Sequence, residues 1–109
     1  MGKEKSAALT ETTTYILLAF KEASHGYAVM QRIDALTNHR VNIAAGTMYG
    51  AIENLLKQKW IHEVPGDDPR RKLYQLTKLG KQVISQEILR LEKVLQNAKE
   101  IMGGSDEKI

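Results

Sequence analysis

A mainly α domain with one two-stranded β wing, finished by a long helix, is the fold class this sequence predicts. Three observations predict it. Apolar residues recur at helical spacing in three successive segments before residue 60. Two short β-prone stretches then flank the turn-forming run Pro65-Gly66-Asp67-Asp68-Pro69-Arg70-Arg71. Finally, Ile84, Ile88, Leu91, Leu95, Ala98 and Met102 follow one another at intervals of 4, 3, 4, 3 and 4, a heptad seam. The chain has 109 residues, 42% hydrophobic and 27% charged, which excludes a disordered or fibrous polypeptide and leaves room for one modest core.

The first helix is predicted over Thr10 to Ala23, from Leu9, Ile16, Leu17 and Phe20, with Thr10 and Thr13 at its start in place of a full capping box. Tyr15 to Phe20 is apolar nearly all round, so this helix should be covered on more than one side. Gly26 is expected to break this helix. Val29, Met30, Ile33 and Leu36 predict a second helix from Tyr27 to about Leu36, closed by Thr37, Asn38, His39 and Arg40, and Val41 to Ile43 is expected as a short strand.

In the third helix, Ala44 to Lys59, the residues Met48, Ile52, Leu55 and Leu56 form a narrow arc that must face the core. The opposite arc carries Gly46, Thr47, Gly50, Asn54 and Lys57, small, hydrogen-bonding and cationic groups with only Glu53 at its edge. Such a face suits close approach to phosphate. Trp60 to Val64 and Lys72 to Leu76 are the predicted strands, with Trp60 anchoring the hairpin and Arg70, Arg71 and Lys72 projecting charge near its tip. Tyr27 and Tyr74 are expected in the core. Thr77 should cap the last helix, whose seam is widened by Val83, Val94 and Ile101; Gly103-Gly104-Ser105 should end it, and Asp106 to Ile109 should be a disordered tail.

Much chemistry is excluded. Without cysteine there are no disulfides, thiolate metal sites or cysteine nucleophiles. His25, His39 and His62 lack ligand spacing, so no metal or cofactor is expected, and Ser24-His25 adjacency has no orienting acid, so no catalytic group is assigned. The longest apolar run, Tyr15 to Phe20, is too short to cross a membrane, and Met1 to Thr14 has no hydrophobic centre for a secretory signal, so a cytoplasmic location is expected. Of the net charge of +3, residues 65–80 carry two, a local excess compatible with a polyanion.

Helix, helix, helix, hairpin, helix is the order of a winged helix-turn-helix, in which the third helix enters the DNA major groove and the hairpin touches the backbone beside it. The candidate contacts to double-stranded DNA are Thr47 and Tyr49 to phosphate, Gly50 for close approach, Asn54 and Lys57 to base edges or backbone, and Arg70, Arg71 and Lys72 for charge neutralisation. The seam Ile84, Ile88, Leu91, Leu95 and Met102 should pair with a second copy of the chain, because one helix cannot bury a stripe that extends so far past the core. The organisation expected is therefore a DNA-binding domain over 1–76 and a dimerisation helix with its tail over 77–109. The alternative function is a protein-interaction adaptor that keeps the shape without binding DNA.

The same residues resemble a family, the PadR-like transcriptional regulators. Tyr15-Ile16-Leu17 resembles its opening motif, Gly26-Tyr27 its glycine–tyrosine pair, and Gly46-Thr47-Met48-Tyr49, continued by Leu55, its recognition-helix signature. Arg71, Tyr74 and Leu76-Thr77-Lys78-Leu79-Gly80 look like its basic-aromatic strand and the junction into its last helix, here short as in the smaller subclass. The resemblance implies a bacterial homodimeric repressor, paired through the last helix with help from Ile16 and Phe20 of the first, binding a palindromic operator and often released by a small-molecule effector. Two positions depart from the pattern. Gly50 stands where many relatives have proline, and Lys59 stands where glycine ends the recognition helix, so Lys59 must adopt a left-handed conformation or the helix must stop differently. No tryptophan lies on the last helix, so an aromatic drug-stacking pocket is not supported.

Overall fold

The computed structural model describes residues 8–103. Its elements are α1 (Glu11–Ala19), α2 (Gly26–Leu36), α3 (Ala45–Lys57), β1 (Ile61–Val64), β2 (Leu73–Leu76) and α4 (Lys78–Ile101), with β1 and β2 antiparallel in the register Ile61 to Leu76 and Val64 to Leu73. The winged helix-turn-helix order is thus present as expected. The end of the last helix at Gly104 and Ser105, and the tail from Asp106 to Ile109, lie outside the described residues.

Thr10 caps α1 as its spacing predicts, its hydroxyl accepting from the Thr13 N–H at 3.0 Å. The helix stops four residues early, at Ala19, where β2 engages the following backbone. Leu76 N–H donates to the Phe20 carbonyl at 2.8 Å, and Gln75 Nε2 to the Lys21 carbonyl at 3.1 Å. Ser24 and Tyr74 then exchange both backbone hydrogen bonds at 3.0 Å, so the α1–α2 connection forms a one-residue third rung on the hairpin.

Gly26 is not what ends α1, which has already stopped at Ala19; it is the first residue of α2 and is buried. A side chain there would lie 3.0 Å from Ile52 Cδ1 and 3.3 Å from Tyr49 Cε1, so its bareness lets α2 settle on α3. Tyr27, expected in the core, is 56% exposed, because Gly26 and Val29 take the inward positions and leave its hydroxyl to accept from Gln31 Nε2 at 3.3 Å. Val41 to Ile43 is not a strand. Both side chains are buried in the core, but the segment has no neighbouring strand, and the Val41 N–H donates to the Thr37 hydroxyl at 3.0 Å instead. Asn38 and His39 both take positive φ, held by Asp34, whose carboxylate accepts from His39 Nδ1 at 2.7 Å and Asn42 Nδ2 at 3.0 Å. Those bonds, that of Asn42 foremost, hold Asp34 below the usual carboxylate range.

The core joins Ile16, Leu17 and Phe20 of α1, Val29 and Ile33 of α2, Met48, Ile52 and Leu55 of α3, Ile61 and Leu76 of the hairpin, and Ile84 of α4. Phe20 meets Tyr74 edge to face, ring centroids 6.0 Å apart, which places Tyr74 against the core as expected. Leu56 misses the buried arc and lies at its exposed edge. Three expected subunit contacts are corrected here. Ile16 is 1% exposed and Phe20 fully buried within their own chain, and Ile84 is 6% exposed, so these three fill the core of one chain and have no surface left for a second.

Thr77 caps α4, accepting from the Gly80 N–H at 2.9 Å while donating to the Lys59 carbonyl at 2.6 Å. The first turns of α4 pack on α1 and β2, and the remainder projects, giving a radius of gyration of 16.2 Å where a compact chain of this size has about 13 Å. Glu87 is 4% exposed on this helix, paired to Arg90 with Nε to Oε1 at 2.9 Å and reached by the Leu9 N–H at 3.5 Å. Arg90, against the opposing effect of burial, holds its carboxyl below the usual range. A carboxyl lowered on folding stabilises above its unfolded value and loses that contribution as pH falls through the lowered one. Thermal melts from pH 7 to 3 should therefore show a steeper acid loss in the wild type than in Glu87→Gln; equal slopes would remove Glu87 from the acid response.

Candidate nucleic-acid interface

The outward side of α3 is open. Its first turn carries no acidic residue, and its N-cap, Ala44, makes no side-chain cap, so the leading N–H groups remain available to an anion. Thr47, Tyr49, Gly50, Asn54 and Lys57 are all exposed on the helix, opposite the buried Met48, Ile52 and Leu55. A Cβ added at Gly46 or Gly50 would meet nothing within 4 Å. Neither glycine is required by packing, although each costs an exposed helix about 0.8–1.0 kcal/mol relative to alanine. Tyr49 is positioned by its ring, which lies against Gly26 at the start of α2 and leaves the residue 56% exposed.

At the far end of α3, Lys59 has φ 64, the left-handed alternative of the two its sequence position allowed. The helix itself closes at Lys57, and the Lys59 and Trp60 N–H groups turn back to the carbonyls of Leu56 and Leu55. Trp60, half-buried against the core, leads directly into β1, so the hairpin is set rigidly relative to α3.

The wing connection runs from Pro65 to Lys72, with Arg70, Arg71 and Lys72 exposed. Asp68 shapes the turn, its Oδ1 accepting from the Arg70 N–H at 2.9 Å and its carbonyl from the Arg71 N–H at 3.1 Å. Arg70 Nε lies 3.5 Å from the same carboxylate oxygen, too long to neutralise a side chain that is 89% exposed. One tie between the wing and the helices had no signal in the sequence: His25, the N-cap residue of α2, places Nδ1 3.1 Å from the Lys72 carbonyl. Helical periodicity and charge runs say nothing about a contact between residues 47 positions apart.

The family model of the transcriptional regulator PadR-like family matches residues 16–86, from the core of α1 through the wing to the buried turns of α4. The chain belongs to the PadR-like family. Its regulators bind DNA and are not enzymes. A transcriptional regulator from Clostridium thermocellum is 26% identical with a TM-score of 0.68, the match covering 81% of this chain and 89% of that one. A PadR-like transcriptional regulator from Bacillus cereus is 18% identical with a TM-score of 0.72, covering 86% and 93%, a likeness of fold. A curated relative from Lysinibacillus sphaericus, itself uncharacterised, is 32% identical over 72 residues; the match takes in 63% of this chain and 66% of that relative's length. Among the described residues no helix is long and apolar enough to cross a membrane, and no three His, Asp or Glu side chains group as a metal site would require.

Proposed function

We propose that this PadR-like regulator is a cytoplasmic homodimeric repressor that binds a palindromic operator and is released by a small-molecule effector. The observation that carries the reading is the bare side of α3: two glycines with open space before them, among exposed Thr47, Tyr49, Asn54 and Lys57, on a helix joined rigidly to a basic wing. In this reading Thr47 and Tyr49 hold phosphates, Gly50 admits the DNA backbone, Asn54 and Lys57 reach base edges or sugar-phosphate, and Arg70, Arg71 and Lys72 neutralise flanking backbone. Residues 1–76 act as the DNA-binding domain. Residues 77–109 supply dimerisation, through Ile88, Leu91 and Leu95 of α4 and its C-cap residue Met102, all exposed past the core. Two-fold symmetry places the half-sites about one helical turn, roughly 34 Å, apart.

The test is fluorescence anisotropy against the chain's own upstream promoter and a scrambled duplex, with salt titrated in both. Preferential, steeply salt-dependent binding with two chains per site supports the reading; salt-insensitive binding, or none at low salt, overturns it in favour of a protein-docking adaptor. A metabolite panel that leaves operator affinity unchanged overturns the effector.

Two substitutions probe the two surfaces. Arg71→Ala should weaken all duplexes similarly and reduce the salt slope by about one for each subunit bound, as for a phosphate contact; loss confined to one base pair would make Arg71 a base reader. Gly50→Ala should raise the stability of the free protein by about 0.8–1.0 kcal/mol while lowering operator affinity roughly tenfold, because the new methyl occupies the space where DNA must come. Unchanged affinity would move the DNA away from this side of α3.

A further inference from the structure

The imidazole of His25 stands at the joint between α2 and the wing, and its chemistry is set by the bond it makes there. Nδ1 lies 3.1 Å from the Lys72 carbonyl oxygen. A carbonyl can only accept, so Nδ1 carries the hydrogen, and in the neutral ring Nε2 is left as a bare lone pair. Among the described residues Nε2 has no hydrogen-bond partner, and the ring is only half-buried. Its surroundings are those of the interface. Arg71 and Lys72 follow on the wing, and Tyr49 of α3 lies against the adjoining Gly26.

We propose that His25 is a phosphate-binding residue of this interface: its Nδ1–H keeps the wing docked, and its Nε2, when protonated, donates to a phosphodiester oxygen. The inference rests on α3 and the wing being the DNA surface. A neutral ring presents its lone pair to the phosphate and is repelled; the imidazolium presents an N–H and a positive charge, a charge-assisted hydrogen bond. DNA binding at this point therefore takes up a proton, and affinity rises as pH falls. The other ionisable groups on the segments that adjoin His25 are Glu22 in the α1–α2 connection, Tyr27 on α2, Tyr49 on α3, Arg71 and Lys72 on the wing, and Tyr74 with its cross-strand partner Glu63 on the hairpin. Carboxylates, lysine, arginine and tyrosine ordinarily keep their charge state between about pH 5.5 and 8, and comparison with a variant lacking the ring isolates the imidazole.

The experiment is anisotropy of the full chain on the promoter duplex and a scrambled duplex at pH 8 and about pH 5.5, at constant ionic strength. Wild type, His25→Asn, His25→Gln and Arg71→Ala are compared. The asparagine amide can reproduce the Nδ1–H donation to Lys72 but cannot become a cation. Wild-type affinity is expected to rise toward low pH on both duplexes by about tenfold for each bound subunit, corresponding to one charge-assisted bond from each His25. His25→Asn should show less than a twofold rise, and Arg71→Ala should bind more weakly yet keep the full rise. His39 and His62 are present in every variant, so their contributions cancel in the comparison. Should His25→Asn lose its cooperative melt at pH 8, His25→Gln, which also lacks a titrating ring, is held to the same twofold criterion. A His25→Asn or His25→Gln variant that folds and keeps the wild-type rise overturns the proposal, as does a wild type that binds equally at both pH values. Absence of DNA binding by the wild type at either pH would instead overturn the interface reading beneath it.

Discussion

Gly80→Ala should cost more than about 4 kcal/mol, lowering the melting temperature by roughly 15 °C or more or abolishing the cooperative transition. A Cβ at Gly80 would stand 2.0 Å from the Trp60 carbonyl oxygen and 2.9 Å from its carbon, with Leu76 Cδ2 at 3.1 Å. The obstacle is backbone, and that backbone is already committed. The Trp60 carbonyl accepts from the Thr77 N–H at 3.0 Å, and the Thr77 hydroxyl holds the Lys59 carbonyl. Making room for one methyl group thus separates the start of α4 from the exit of α3, and with it the wing from the recognition helix. Intrinsic helix propensity acts the other way, favouring alanine by about 0.8–1.0 kcal/mol. Gly50→Ala is the natural control, since it adds the same methyl group to a helix with nothing nearby. The two melts, compared at one protein concentration, should move in opposite directions. A Gly80→Ala variant melting within about 3 °C of wild type would mean that α4 is not docked as described.

Local chemistry made most of the fold readable. Thr10 and Thr77 announce helix starts because a hydroxyl three residues before a free N–H is a cap wherever it occurs, and both do cap. The turn formers between Val64 and Leu73 likewise define a hairpin with no reference to the rest of the chain. The misreadings come where a partner distant in sequence decides. Val41 and Ile43 are β-prone and buried, yet no strand is beside them, and strand character needs a neighbour. Tyr27 is large and partly apolar, but Gly26 beside it takes the contact with α3. Phe20 and Ile16 have the right spacing to serve either a core or a dimer, and only burial distinguishes these.

The interface divides in the same way. Open glycines and a cation, Lys57, on one arc of α3 are visible in helical periodicity alone. The wing's attachment is not, since the bonds from Ser24 to Tyr74, from His25 to Lys72 and from Thr77 to Lys59 join residues chosen by topology. Glu87 leaves no signal of its burial, because a carboxylate beside a heptad seam reads as a solvated flank; that burial follows from Arg90 one turn on and the lead-in to α1 covering it.

Leu91→Asp with Leu95→Asp should convert the proposed dimer to a monomer and lower operator affinity at least about a hundredfold while leaving the domain folded. Both side chains are exposed in the single chain, as are Ile88, Val94, Ile101 and Met102 along the same helix. The buried residues of α4 end before them, at Ile84 and Glu87, so the substitution removes no core packing within one chain. Burying each such leucine against a partner is worth about 1.5–3 kcal/mol, and four aspartates in a two-fold seam replace that gain with several kcal/mol of desolvation each. The dimer then cannot form at micromolar concentration. On DNA the consequence is larger than any single contact, because the second half-site is bound at high effective concentration only while the two wings are joined, an advantage of about 10²–10⁴. Sedimentation should give the mass of one chain, the melt should remain cooperative, and anisotropy should show the operator bound no better than scrambled DNA. A variant that stays dimeric would place the subunit contact elsewhere than this side of α4, and a monomer with full operator affinity would mean that one winged helix-turn-helix, not two, reads the site.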